Sequence, residues 1–158
     1  RPANIYGPHA NFNPKNSMVV ASIIRRVLNK ENPLKVWGDG KTIRDFIYSD
    51  DVADAIIKVI NKNIQEPVNV GSGKGVTIKK LVHEIVNCKN IKSKPNIVFE
   101  TSKKSGGKVG DRKRVLNINL AKKYKINNKT SLSKGLFETI DWYLKNKKKL
   151  KSRYNYFA

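Results

Sequence analysis

Each stretch of this chain with an apolar stripe at helical spacing follows a short run able to form a strand, and that alternation constrains the fold most. Val19, Val20, Ile23, Ile24 and Val27 recur at the helical period after the stub Arg1–Ile5. Val52, Ala55, Ile56, Val59 and Ile60 do so after the run 42–48, and Ile78, Leu81, Val82, Ile85 and Val86 after "PVNV". Runs 34–37 and 96–100 read as further strands. Runs 120–124 and 133–147 read as further helices, the last with Leu136, Phe137, Ile140, Tyr143 and Leu144 inward. Strands alternating with helices imply an α/β fold. The strands are few and short, so the expected architecture is the end of a sheet plus an appended smaller lobe, with strands near Arg1 and Val68 needing neighbours.

Local signals place the boundaries. "YGP" breaks the first strand, and Ser17, Ser49 and Thr77 are expected to cap the three helices that follow them, with Asp50 and Asp51 favoured by the helix dipole. "LKVW", a Gly38-Asp39-Gly40 turn and Thr42–Tyr48 read as strand, turn and strand. The stretch "TSKKSGGKVGDRK" is expected to be the longest and most mobile loop.

Composition narrows the function classes. At 158 residues, 39% of them apolar, and with a mean hydropathy of -0.55, the chain suits one soluble domain. No run approaches the roughly 18 apolar residues of a membrane span. One cysteine, Cys88, and the absence of a charged-then-apolar leader point to a reducing, cytoplasmic setting. His9 and His83 are far apart, so no metal site is expected. The net charge of +21 invites a nucleic-acid or anionic-surface reading. Only seven of the 33 basic residues are Arg, however, and the lysines are spread along the chain and thickest in "LKNKKKLKSRYNYF". Phosphate-reading interfaces favour Arg forks with interleaved aromatics, so an anionic small molecule is the better partner.

"GSGKGVT" fails as a phosphate-binding P-loop: Val68 stands where the first Gly belongs and Gly75 where Ser or Thr must follow the Lys. A glycine turn between strand and helix accounts for it. Trp37 and Arg44, at either end of "WGDGKTIR", could stack a base and fork phosphate oxygens. A core Trp beside a surface Arg explains them equally well on these residues alone. No Ser-His-Asp or Cys-His set is present, and several of the 12 carboxylates sit in first turns of helices.

Four stretches in order, "RPANIYGP", "VWGDGKTIRDFIYSDDVADAI", "PVNVGSGKGVTIKKLV" and "GDRKRVLNINLAKK", resemble the C-terminal half of the extended short-chain dehydrogenases/reductases. These are the NAD(P)-dependent nucleotide-sugar epimerases, dehydratases and reductases. The resemblance covers residues 1–147, leaving 148–158 as a basic tail. It implies the C-terminal end of a Rossmann-type doubly wound sheet plus a smaller α/β substrate-binding lobe. Within the family, "YGPHANFNPKNS" and "IIRR" look most like the GDP-L-fucose synthase branch.

By that resemblance Pro2, Ala3, Asn4 and Ile5 lie along the NADP or NAD cofactor, and Asn4 also faces the substrate. Arg26, Trp37, Arg44 and Arg114 would contact a nucleotide-diphosphate sugar, GDP-linked by preference, with Lys113 the alternative should the alignment slip by one. A homodimer is implied for the full-length enzyme, with no nucleic-acid or membrane partner. The resemblance departs in two places. The family's nucleotide-binding glycine motif and Tyr-x-x-x-Lys catalytic pair have no counterpart here. Tyr143 and Lys147 share only the spacing, so no catalytic residue is expected in this chain, and alone it is expected to be inactive. Met18 stands where the fucose-synthase branch carries an acid His; a thioether has no proton to give, although Met packs the start of a helix well. UDP-glucose 4-epimerase-like chemistry is the in-class alternative, and a basic nucleic-acid or anionic-surface binding module the alternative outside it.

Overall fold

The computed structural model describes residues 1–101 and 111–150. The greater part of the loop expected over 101–113 and of the basic tail lies outside them. Strand β1 (Asn4–Tyr6) runs parallel to β4 (Phe46–Tyr48), with Asn4 opposite Phe46 and Tyr6 opposite Tyr48. Between them come helix α1 (Val19–Leu28), β2 (Leu34–Trp37) and β3 (Ile43–Arg44). After β4 follow α2 (Ser49–Asn61), β5 (Val76–Thr77), α3 (Ile78–Val86), β6 (Ile97–Glu100), β7 (Lys113–Arg114), α4 (Asn119–Lys123) and α5 (Leu132–Leu150).

The Asn-rich segment before α1 folds by side-chain mimicry of turns. Asn11 Oδ1 accepts from the Asn13 amide at 2.9 Å, and Asn13 Oδ1 from the Lys15 amide at 3.0 Å. Ser17 belongs to this turn, its amide bonded to the Asn13 carbonyl, and it does not cap α1. Met18 occupies the cap position, with no side-chain bond. Thr77 does cap α3, accepting from the Lys80 amide at 3.1 Å. Ser49 is the first residue of α2, behind a Tyr48 cap position, and its hydroxyl donates to Asp50.

The expected strand–turn–strand unit is also corrected. β2 pairs in parallel with β6, Trp37 opposite Glu100, and does not pair with β3. The run 42–48 breaks at Asp45, its first part joining an antiparallel β5 and a parallel β7, its second joining β1. Gly38 (φ 84°) and Gly40 (φ 72°) let the chain cross from one sheet to the next.

Ile24, Leu34, Leu81, Ile85, Leu136 and Ile140 are fully buried in the main core, where α1, α3 and α5 meet. Ala55, Val68, Ala121 and Ile126 form a smaller cluster beneath α2 and α4. Two apolar stripes are wider in sequence than in structure. Ile56 and Ile60 on α2 are 56% and 70% exposed, and Phe137 and Leu144 on α5 also face solvent, because packing covers one side of each helix only. No described helix is long and apolar enough to cross a membrane.

Asp51 does more than favour a helix dipole. It is buried, and its two oxygens accept from the amides of Lys129 and Thr130, each at 3.0 Å, tying α2 to the segment entering α5. Asp51→Ala leaves both donors without this acceptor and is expected to cost about 1–3 kcal/mol. At roughly 2–4 °C per kcal/mol for a protein of this size or larger, a thermal melt reads the loss. An unchanged midpoint would remove Asp51 from the account of this junction.

Candidate functional site

Segment Pro2–Ile5 is threaded between two partners. Pro2 bridges to Val70, and the Ala3 amide bonds the Val70 carbonyl at 2.8 Å. Asn4 gives both its backbone amide (3.1 Å) and its side-chain Nδ2 (2.7 Å) to the Asp45 carbonyl, which fixes the orientation of its amide group. Ile5 remains 46% exposed.

Beside this strand, Ile5, Tyr6, Pro8, His9, Met18 and Ser49 help line a largely apolar cavity of about 310 Å³. Met18 is 64% exposed at its rim. His9, at φ 64°, lies against the Trp142 ring with centroids 4.5 Å apart. Tyr6 is buried, and desolvation holds its phenol well above the ordinary range, so it stays protonated and is unsuited to exchanging a proton. Tyr143, whose spacing to Lys147 imitates a catalytic pair, is 2% exposed and packs against Phe12 at 4.5 Å.

Apart from Asn4, the expected substrate residues lie in two places along the chain's strands, Arg26 and Trp37 at β2 and Arg44 and Arg114 on β3 and β7. Arg26, in the last turn of α1, grips the Glu31 carboxylate through Nε (2.7 Å) and Nη2, and Nη2 also donates to the Lys35 carbonyl of β2. The Arg26 hydrogen bond holds the Glu31 carboxyl below its ordinary range. Two residues further along β2, Trp37 is 70% exposed. That exposure dismisses the reading of Trp37 as a core side chain.

Arg44 and Arg114 are the second pair, directly opposite each other in the parallel β3–β7 ladder. The register sets Lys113 against Ile43, so strand alternation leaves Arg114, and not Lys113, beside Arg44. Arg44 Nη1 donates to the carbonyls of Ile43 and Asp111, both at 2.8 Å. Arg114 Nη2 meets Asp111 Oδ2 at 2.8 Å, and that hydrogen bond holds the Asp111 carboxyl below its ordinary range. Both guanidiniums therefore meet at Asp111, Arg44 on its backbone carbonyl and Arg114 on its carboxylate, and their forked donors suit an anion with several oxygens. Among the described residues no three His, Cys, Asp or Glu side chains gather as metal ligands.

Sequence reasoning missed Asp45. Its side chain is 1% exposed and takes four hydrogen bonds. Oδ1 accepts from the Ser72 amide (2.9 Å) and hydroxyl (2.5 Å), and Oδ2 from the amides of Gly73 (3.1 Å) and Leu116 (3.3 Å). A Cβ at Gly71 would sit 2.6 Å from Oδ2, so the "GSGKG" turn is glycine-rich partly to admit this carboxylate. The available signal was an acidic residue inside the strand-forming run Ile43–Tyr48, followed downstream by a glycine-serine turn able to bind it.

Known proteins resemble this chain in sequence and in fold. Residues 1–71 match the NAD dependent epimerase/dehydratase family. GDP-L-fucose synthase 1 of Arabidopsis thaliana is 34% identical over 152 residues, spanning 92% of this chain and 45% of that protein. A UDP-glucose 4-epimerase of Thermotoga maritima, solved with UDP-glucose, superposes with a TM-score of 0.74 at 29% identity over 92% of this chain and 45% of its own. A GDP-L-fucose synthetase of Naegleria fowleri bound to NADP gives 0.78 at 25% identity over 93% and 46%. The chain spans about half the length of the relatives it matches. These neighbours bear out the expected α/β, Rossmann-type class.

Proposed function

The chain belongs to the NAD dependent epimerase/dehydratase family, and from that premise we propose that it is the substrate-binding part of an NAD(P)-dependent nucleotide-sugar epimerase or reductase. The observation that carries this reading is the Arg44–Arg114 pair, opposite each other on β3 and β7 and both bonded to Asp111, Arg44 to its backbone carbonyl and Arg114 to its carboxylate. A sugar-nucleotide diphosphate brings the complementary charge and several acceptor oxygens, and Arg matches them bidentately. Trp37, exposed at the end of β2, offers a face for the base. Asn4 and Ile5 line the cofactor side of the sugar. Arg26 reaches the substrate by exchanging Glu31 for it.

NADP, the favoured cofactor by likeness to the NADP-bound synthetase, supplies or accepts hydride when bound. The residues of this chain hold the nucleotide-sugar so that its reacting carbon meets that hydride. Orientation of this kind can supply about 7–11 kcal/mol of the barrier at its upper range. The favoured substrate is a GDP-linked 4-keto-6-deoxy sugar, in keeping with the likeness to GDP-L-fucose synthases. With Met18 in place of an acid, the reaction proposed is reduction of that ketone without proton exchange at the flanking carbons or, on a GDP-sugar that carries a C4 hydroxyl, 4-epimerisation by removal and return of one hydride.

The test is product analysis. Full-length enzyme given GDP-4-keto-6-deoxymannose and NADPH in deuterated water should oxidise NADPH and leave carbons 3 and 5 undeuterated. Efficient formation of GDP-L-fucose, with deuterium at those carbons, would overturn it. UDP-glucose 4-epimerase-like action stands as a second reading, on the likeness to the UDP-glucose-bound enzyme. Competition between GDP and UDP for the site separates the two.

A further inference from the structure

The buried carboxylate of Asp45 has no place in the function proposed above, and its surroundings show what it could do. Every polar part of the residue is tied to a different piece of the site. Its backbone amide donates to the Arg114 carbonyl at 3.1 Å, and its carbonyl takes both donors of Asn4. Its carboxylate accepts from Ser72, Gly73 and Leu116. Ser72 and Gly73 belong to the glycine turn, while Leu116 lies two residues beyond Arg114 at the end of β7. The neighbours on either side are Arg44 of β3 and Phe46 of β4. Asn4, Arg44 and Arg114 therefore share one mechanical joint, built from neutral donors around one buried charge.

A carboxylate that accepts four hydrogen bonds from fixed backbone and hydroxyl donors is held in a single orientation. Here it also closes the point where one strand run divides between two sheets. We propose that Asp45 is a positioning residue: it sets the spacing of the Arg44 and Arg114 guanidiniums, and their placement against Asn4, for the diphosphate of the substrate. This rests on the reading that those arginines bind the diphosphate. The carboxylate itself touches no substrate and moves no proton.

Asp45→Asn keeps one acceptor for Ser72 but turns an NH2 group toward the amides of Gly73 and Leu116, donor against donor. Asp45→Glu has no room, because Gly71 already packs against Oδ2. Ser72→Ala removes the hydroxyl bond to Asp45, together with the hydroxyl's bonds to Lys74 inside the turn, and keeps both turn amides on the carboxylate, so it reports on the joint even if the Asp45 variant folds poorly.

The experiment is a double-mutant cycle in the full-length enzyme, pairing Asp45→Asn and, separately, Ser72→Ala with Arg44→Ala. The expected result is a KM for nucleotide-sugar raised about 10-fold or more by Asp45→Asn and a few-fold by Ser72→Ala, with kcat and NADP affinity changed less than about two-fold. In the Arg44→Ala background both effects should shrink well below their size in wild type, because one of the two positioned guanidiniums is gone. Purely additive effects, or losses in KM, kcat and NADP affinity alike, would make Asp45 a general structural joint and overturn the inference alone. If Arg44→Ala left nucleotide-sugar affinity intact, the diphosphate reading and this inference would fall together.

Discussion

Met18→His is expected to raise proton exchange at the carbons flanking a substrate ketone by about 10²–10⁴-fold, the usual contribution of a positioned general acid or base. Met18 stands at the cap position of α1, 64% exposed, on the rim of the cavity it shares with Ile5, His9 and Ser49. A thioether there contributes shape and no titratable proton. An imidazole at the same place has an ordinary pKa near 6.5, and the helix N-terminus disfavours its charged form, so at neutral pH it can act in either direction. The readout is deuterium wash-in from solvent, followed by mass spectrometry, with ketone reduction by NADPH measured alongside. Reduction should change little. Wild-type enzyme that already exchanges as fast as Met18→His would show that another group performs this task and that the Met18 departure is functionally silent.

The second large effect concerns Arg44. Arg44→Ala should weaken nucleotide-sugar binding by about 10–150-fold, corresponding to the 1.5–3 kcal/mol typical of a hydrogen bond to a charged group. Arg44→Lys should recover only part of this, because an ammonium cannot reproduce the fork that lies opposite Arg114. Lys147→Ala with Lys148→Ala provides the contrast. Both residues lie in the last turn of α5, and Lys147 is tied to Asn29 Oδ1 at 3.0 Å. Their joint loss should change affinity less than about two-fold at physiological salt, where separated surface charges are screened. Binding that depended on the lysines and ignored Arg44 would return the protein to the basic-module reading.

Local chemistry in the sequence held at Thr77 and slipped by one residue at Ser17 and Ser49, whose expected cap positions belong to Met18 and Tyr48. The Thr77 cap lies three residues from its donor, and the strand–helix alternation survives in every main element. The larger failures lie where distant parts of the chain decide. The Gly38-Asp39-Gly40 turn has the composition of a hairpin, yet β2 takes its partner from residues 97–100 and β3 from 76–77 and 113–114. Asp45 looked like one polar residue in a strand, because its acceptor role depends on donors 27, 28 and 71 residues away. Helical periodicity identified Ile56 and Ile60 as apolar but could not say what covers them. The neighbourhood of Arg44 and Arg114 is a register fact, invisible to spacing and reached in the sequence only through family resemblance.

The central claim is that two arginines on neighbouring strands hold a nucleotide diphosphate. Calorimetric titration of the full-length enzyme with GDP and with GMP, in wild type and in Arg44→Ala, tests it most directly. The account predicts that wild type binds GDP at least about 10-fold more tightly than GMP, in line with one or more charge-assisted hydrogen bonds to the second phosphate, and that Arg44→Ala closes most of that gap while leaving GMP affinity nearly unchanged. A gap of the same size in both proteins would contradict it.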